Sequence, residues 1–392
     1  MILFLFLVVI CLYIFFKHSN LTKYNPIFIF IIPLVTYLLF LSEHLIFNIP
    51  YFISDELGYI HQQPDSVASF NDRITWYVLN TFLLRFDIFP NLSLKLINIP
   101  IFFIAVFYLW RMFDFNNNVF TLIFFLPYFN IVAICNFRDI FALVLLIMAF
   151  YYSIFSKNWI KFFIVITLLF FTRYFLVFII ALFILVYYFI KNYSKNRSVK
   201  RKLQLKLTPQ RLTFIAVSAI GLIVLFILSH TYILKKINSL TLVISYYLTD
   251  FHNARLIAVG GISTGNIMLD YIVGITRYIF TPLPTSLFKR LMFSSTEYGK
   301  IDDLFRFFNQ TLFYFMMLYI LLFYKSFWRA VKQIPLNKKL LILNLLFFAV
   351  FYGLYRFGIG HQRVKLPFQL GIFLLFIQTH RFRLQKVTKS DE

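Results

Sequence analysis

The chain has 392 residues, of which 61% are hydrophobic and 14% charged, and it carries a formal net charge of +23. A soluble globular chain averages about 25% charged residues. Together with a mean hydropathy of +0.79, this excludes a water-soluble domain. The basic excess does not indicate nucleic acid, because the Lys and Arg residues lie between apolar runs and form no stripe with interleaved aromatics.

The apolar residues arrive in runs such as Met1–Phe16, Pro26–Phe47, Ile140–Phe155 and Phe214–Leu228. A helix needs about 20 residues to cross the hydrocarbon, somewhat fewer when the span is short. In chain order the pattern predicts about eleven spans, near 1–16, 26–48, 96–112, 117–134, 140–156, 159–172, 174–190, 212–229, 310–325, 340–356 and 364–380. The N-terminal run has no basic segment before it, and its first lysine, Lys17, follows it. This favours an uncleaved first span with the N-terminus outside and the C-terminus inside. Outer loops are expected at about 49–95 and 230–309, each containing folded elements at the membrane surface. Within the first, Ile74–Phe89 carries Arg85 and Asp87 and reads as an interfacial helix. Trp159–Ile190 reads either as a hairpin with Arg173 at its tip or as one long tilted helix. The loop at about 191–211 holds eight basic residues and no acid, which reads as a cytoplasmic loop or, alternatively, as a specific phospholipid site. Lys325, Arg329, Lys332, Lys338, Lys339, Arg381 and Arg383 orient the C-terminal spans the same way, whereas the N-terminal turns are nearly balanced in charge. Cys11 and Cys135 lie in or beside apolar segments and indicate neither a disulfide framework nor a metal site. The fold class is therefore all-α, a polytopic membrane bundle forming one domain over 1–392, with membrane lipids as its surroundings.

No nucleotide-binding or metalloprotease motif is present, so an enzyme built this way must meet its substrates at the membrane. Asp55 and Glu56 stand together in Ser54-Asp55-Glu56-Leu57-Gly58-Tyr59, just after the second span. Adjacent carboxylates there can serve as a general base toward a hydroxyl or hold a divalent cation; they can equally be solvated loop acids. A set of cations lies at outer span edges: Arg138 beside Asp139, Arg173, Arg277, Arg356, and His361 with Arg363 and Lys365. Guanidinium forks match phosphate oxygens in pairs, although each Arg could instead reach out to lipid phosphates. Thr281-Pro282-Leu283-Pro284 makes a rigid, non-helical corner that either positions a loop or ends a helix. Glu43 and His44 fall near the outer end of the second span, where a charge is a functional candidate unless it merely reaches the interface.

The run from the first span through Asp55-Glu56-Leu57-Gly58-Tyr59 resembles the start of EpsG-like and Wzy-type polysaccharide polymerases. Asn136-Phe137-Arg138-Asp139, opening a Leu/Ala-rich span, is similar to an Asn-x-Arg-Gln pattern of that group, with Asp139 in place of the Gln. Arg173 stands where members often carry His. The carboxylate pair and Arg363-Val364-Lys365-Leu366-Pro367 also resemble features of GT-C glycosyltransferases, which implies a GT-C-like bundle. The likeness covers about residues 1–190 and the last span. It implies a transferase in a bacterial inner membrane that moves a glycan from undecaprenyl pyrophosphate to a sugar hydroxyl of a second lipid-linked repeat. A flippase and a chain-length regulator would be its assembly partners. Asp55, Glu56 and His361 would be catalytic, and Tyr59, Arg138, Arg173, Arg277, Arg356 and Arg363 would hold pyrophosphate and glycan. No resident cofactor or metal is implied, beyond a divalent cation that Asp55 and Glu56 could hold. A GT-C transferase using a polyprenyl-phosphate sugar is the alternative enzyme, and a lipid-linked oligosaccharide flippase is the alternative of another class.

Overall fold

The computed structural model describes residues 25–47, 98–113, 127–134, 138–198, 267–293, 299–354 and 362–388, together with Val78. Among these residues it is all-helical, with eleven α-helices, one π-helical turn and no strand. They are α1 (Asn25–Phe47), α2 (Asn98–Phe113), α3 (Pro127–Ile134), α4 (Arg138–Phe150, continued by the π turn Tyr151–Phe155), α5 (Trp159–Ser198) and α6 (Ile267–Phe280). Then come α7 (Pro284–Phe293), α8 (Lys300–Leu322), α9 (Tyr324–Gln333), α10 (Leu336–Leu354) and α11 (Gln362–Thr388). The spans expected at 1–16 and 212–229 and most of the basic loop lie outside the described residues.

Local sequence accounts for many of these boundaries. Pro127 and Pro284 open α3 and α7, where a missing N–H costs nothing. The Asn158 side chain accepts from the Lys161 N–H at 3.2 Å and caps α5. Gly299 turns into α8 with a φ of +83°, a conformation that side chains disfavour. The Thr281–Pro284 corner ends α6 and starts α7, and buried Lys365 donates to the Thr281 carbonyl. α5 is helical on both sides of Arg173, whose own backbone is extended (φ −154°, ψ 87°). Of the two readings of this stretch, the structure shows helix on both sides of a local break at Arg173.

The chain divides into two compact units. The first takes the described residues within Met1–Ile184, Ile279–Phe351 and Gly360–Glu392; the second takes those within Leu185–Tyr278 and Tyr352–Ile359. In the first unit the short helix α3 lies against α1, α2, α8 and α11. Phe129, Ile131, Val132 and Ile134 on it are fully buried, as are Val106 on α2 and Ile140, Leu146 and Ile147 on α4. Buried hydroxyls need partners in such surroundings. Ser153, Thr172 and Thr379 each bond a carbonyl four residues back, at 2.7, 2.7 and 2.8 Å. Gly371 lets α10 come close, because a Cβ there would meet the Leu346 side chain at 3.0 Å.

Two helices, Arg138–Phe155 and Lys300–Leu322, are long and apolar enough to cross a membrane. Only 22% of the most apolar 18-residue stretch of Lys300–Leu322 is buried, against 67% for Arg138–Phe155. Phe308, Phe315, Leu318, Leu321 and Leu322 are exposed along the former.

Contacts at the helix ends sort the first unit into two poles. At one pole the C-terminal ends of α2 and α4 meet, where the Arg111 guanidinium lies 5.7 Å from the Tyr151 ring. Lys161, at the start of α5, is 5.7 Å from the Tyr152 ring. Lys338 of α10 is 5.8 Å from the Phe113 ring, and Arg381 of α11 donates to the Phe113 carbonyl at 3.4 Å. Arg383 sits 3.8 Å above the Phe323 ring, after α8 ends. Among the described residues this pole carries no acid. The opposite pole holds all four described acids of the unit: Glu43, Asp139, Asp302 and Asp303.

Candidate functional site

At the acid-bearing pole, the start of α4 meets the break in α5. Arg173 forms an ion pair with Asp139. Their side chains are 13% and 6% exposed, so the pair is largely shielded from water. Arg138 donates from Nη1 to the Thr172 carbonyl at 3.4 Å, one residue before the break. Two of the cations picked out by sequence, Arg138 and Arg173, thus converge from 35 residues apart in the chain. Among the described residues the cluster brings together two guanidiniums and one carboxylate. Arg donors held in this way can donate to a phosphate or pyrophosphate oxygen.

Asp139 follows Arg138 directly in the chain but does not pair with it in the ion pair seen here. Consecutive helical residues point about 100° apart and do not face each other. Asp139 therefore turns to Arg173 on the next helix.

The other sequence candidates are distributed differently. Asp55, Glu56, Tyr59, Arg356 and His361 lie outside the described residues. Arg363 falls in the first turn of α11. Arg277 is in the last turn of α6, in the second unit. Lys365 is buried and engages the Thr281 carbonyl, which gives it a structural partner at the corner.

Glu43 also has a structural partner. Its Oε1 accepts from the Gly299 N–H at 2.9 Å, and the amides of Lys300 and Ile301 face the same carboxylate. A carboxylate on the first amides of a helix satisfies donors that have no intrahelical partner and complements the helix dipole. Glu43 is thus the cap of α8, supplied by α1. His44 lies in the last turn of α1, one residue beyond.

Sequence reasoning missed one ionic group at this pole. α8 begins at Lys300, ten residues before the span expected at 310–325, so Asp302 and Asp303 sit in its first turn and not in a loop. Asp302 pairs with Arg306 at 2.7 Å, and Asp303 pairs with Arg290 of α7 at 3.3 Å. The Asp302/Arg306 spacing of four residues was the available signal. Below these pairs, Asn309 donates to Gln369 of α11 at 3.2 Å, and Gln310 is fully buried beside it. α8 therefore carries polar groups over its first three turns and apolar ones beyond.

No protein-family model matches this chain, and neither a curated protein nor a solved structure is similar to it. The class defined by the fold is, among the described residues, an all-helical chain with two helices long and apolar enough to cross a membrane and with its acids gathered at one pole.

Proposed function

We propose that this protein is a multi-pass membrane glycosyltransferase of a bacterial inner membrane that polymerises lipid-linked repeat units. The transferred glycan would leave undecaprenyl pyrophosphate and join a sugar hydroxyl of another lipid-linked repeat. The observation carrying this reading is the meeting of Arg138, Arg173 and Asp139 at the pole that also holds the acids. Loops rich in Lys and Arg stay on the cytoplasmic side, so the basic pole, which carries no acid among the described residues, is the inner one. The Arg cluster then lies at the outer surface, at the depth of a lipid pyrophosphate.

The mechanism follows from charge. Displacement at the anomeric carbon breaks the bond to the pyrophosphate oxygen, which leaves with added negative charge. Arg138 and Arg173 would hold that pyrophosphate and stabilise the charge as it develops. A carboxylate of Asp55 or Glu56, or His361, would take the proton of the acceptor hydroxyl as the new glycosidic bond forms.

Purified protein given lipid-linked repeat should yield glycans of two or more repeats by mass spectrometry, and deletion of its gene should leave surface glycan capped with a single repeat. Transfer of single sugars from a polyprenyl phosphate would replace the polymerase with the smaller transferase. Movement of repeats across a vesicle with no new linkage would replace it with a flippase.

A further inference from the structure

The basic pole carries a second cluster, which the proposed reaction does not use. Tyr108 of α2 meets Tyr151 and Tyr152 of α4, with ring centroids 4.9 and 5.7 Å away. The Tyr108 and Tyr152 hydroxyls are hydrogen-bonded to each other. Arg111, one helical turn beyond Tyr108, lies 5.7 Å from both the Phe107 and the Tyr151 ring centroids. Lys161 stands 5.7 Å from the Tyr152 ring on the other side. Arg111 and Lys161 are exposed, and neither has a carboxylate partner among the described residues.

The backbone beneath the cluster is irregular. Tyr151–Phe155 forms a π turn, closed by the Ser156 N–H on the Tyr151 carbonyl at 2.9 Å. It leads to Lys157, a non-glycine residue at a φ of +53°. The π turn closes the C-terminal end of α4, where such turns occur. Both of its first two residues, Tyr151 and Tyr152, lie against one partner, Tyr108. Tyrosines are enriched at membrane interfaces, where their rings sit at the level of the headgroups. Three that converge between two ring-seated cations form a defined place.

We infer that this cluster binds the phosphate of an anionic phospholipid of the inner leaflet. Arg111 and Lys161 would supply charge from either side, and the Tyr151 and Tyr152 hydroxyls would donate to phosphate oxygens. Basic sites between helices on the cytoplasmic side bind anionic headgroups in this way. The inference rests on the basic pole lying at the inner membrane surface, as proposed above.

The test is native mass spectrometry of the purified full chain titrated with phosphatidylglycerol or phosphatidylcholine. Selective retention of phosphatidylglycerol is expected. Arg111→Ala and Lys161→Ala should each weaken it about fivefold, and Tyr152→Phe should weaken it to a similar extent, about fivefold. Lys332→Ala on α9 removes an equal charge at the same pole and should leave retention unchanged. An equal loss in Lys332→Ala would mean diffuse attraction and overturn the site. Full displacement of the lipid by inorganic phosphate would assign the cluster to a soluble anion and overturn the lipid reading. Retention is measured without polysaccharide synthesis, so a protein that holds phosphatidylglycerol but makes no polymer would sink only the proposed function.

Discussion

The Arg173–Asp139 pair offers the sharpest test of how the site is built. An ion pair at a wet surface contributes about 0–1 kcal/mol. This one has side chains 13% and 6% exposed, so deleting one partner strands the other charge away from water. Such a loss costs about 3–5 kcal/mol. Arg173→Ala and Asp139→Ala should therefore each lower the stability of the detergent-solubilised protein strongly. The double variant strands neither charge and should be more stable than the sum of the singles implies, by about 2 kcal/mol or more within the usual range for contacting residues. Unfolding of wild type, both singles and the double in one detergent, followed by tryptophan fluorescence, gives that coupling directly. Effects that add to within about 0.5 kcal/mol, the behaviour of independent sites, would refute the reasoning, because the two side chains would then not be joined across α4 and α5.

The remaining expectations concern activity, topology and packing. Arg138→Ala should reduce polymerisation about 10²–10³-fold at matched expression, as expected for losing a donor to a developing oxyanion. Arg138→Lys should recover little of it, because a point charge lacks the paired fork; near-normal polymer on a gel from Arg138→Ala would remove the donor-site assignment. In a cysteine-free background, Lys300→Cys should react with an impermeant thiol reagent in intact spheroplasts and Lys332→Cys only after permeabilisation, and the reverse pattern would invert the two poles. Glu43→Ala should destabilise the protein by about 0.5–2 kcal/mol, the range for losing a helix cap, with faster amide exchange at the start of α8 as its local signature. Gly371→Val should force α10 and α11 apart and lower the melting temperature, whereas Gly371→Ala should do so less, since its Cβ meets the tip of Leu346 at 3.0 Å.

The sequence alone determined the parts of this protein that depend on composition and period. Long apolar runs with few charges can satisfy their backbone in lipid only as helices, and those at 26–48, 96–112, 140–156 and 340–356 coincide with α1, α2, α4 and α10 to within a few residues. The Pro-rich corner and the Lys- and Arg-rich turns were also legible, because each rests on local composition. Other features were settled only by the tertiary structure. Asp139 could be assigned to Arg138 or to a distant cation until helix geometry turned it toward Arg173 across the pole. Glu43 was legible as a charge near a span end, but its role depends on where the amides of another helix, 256 residues on, come to rest. The early start of α8 was hidden because Asp302, Asp303 and Arg306 look like loop residues. They become helical when Glu43 caps the first turn and Arg290 and Asp302 pair with the charges behind it. The convergence of Tyr108, Tyr151 and Tyr152 was hidden for a similar reason. A π turn has no composition of its own, and only the packing of α4 against α2 shows which residues it brings together.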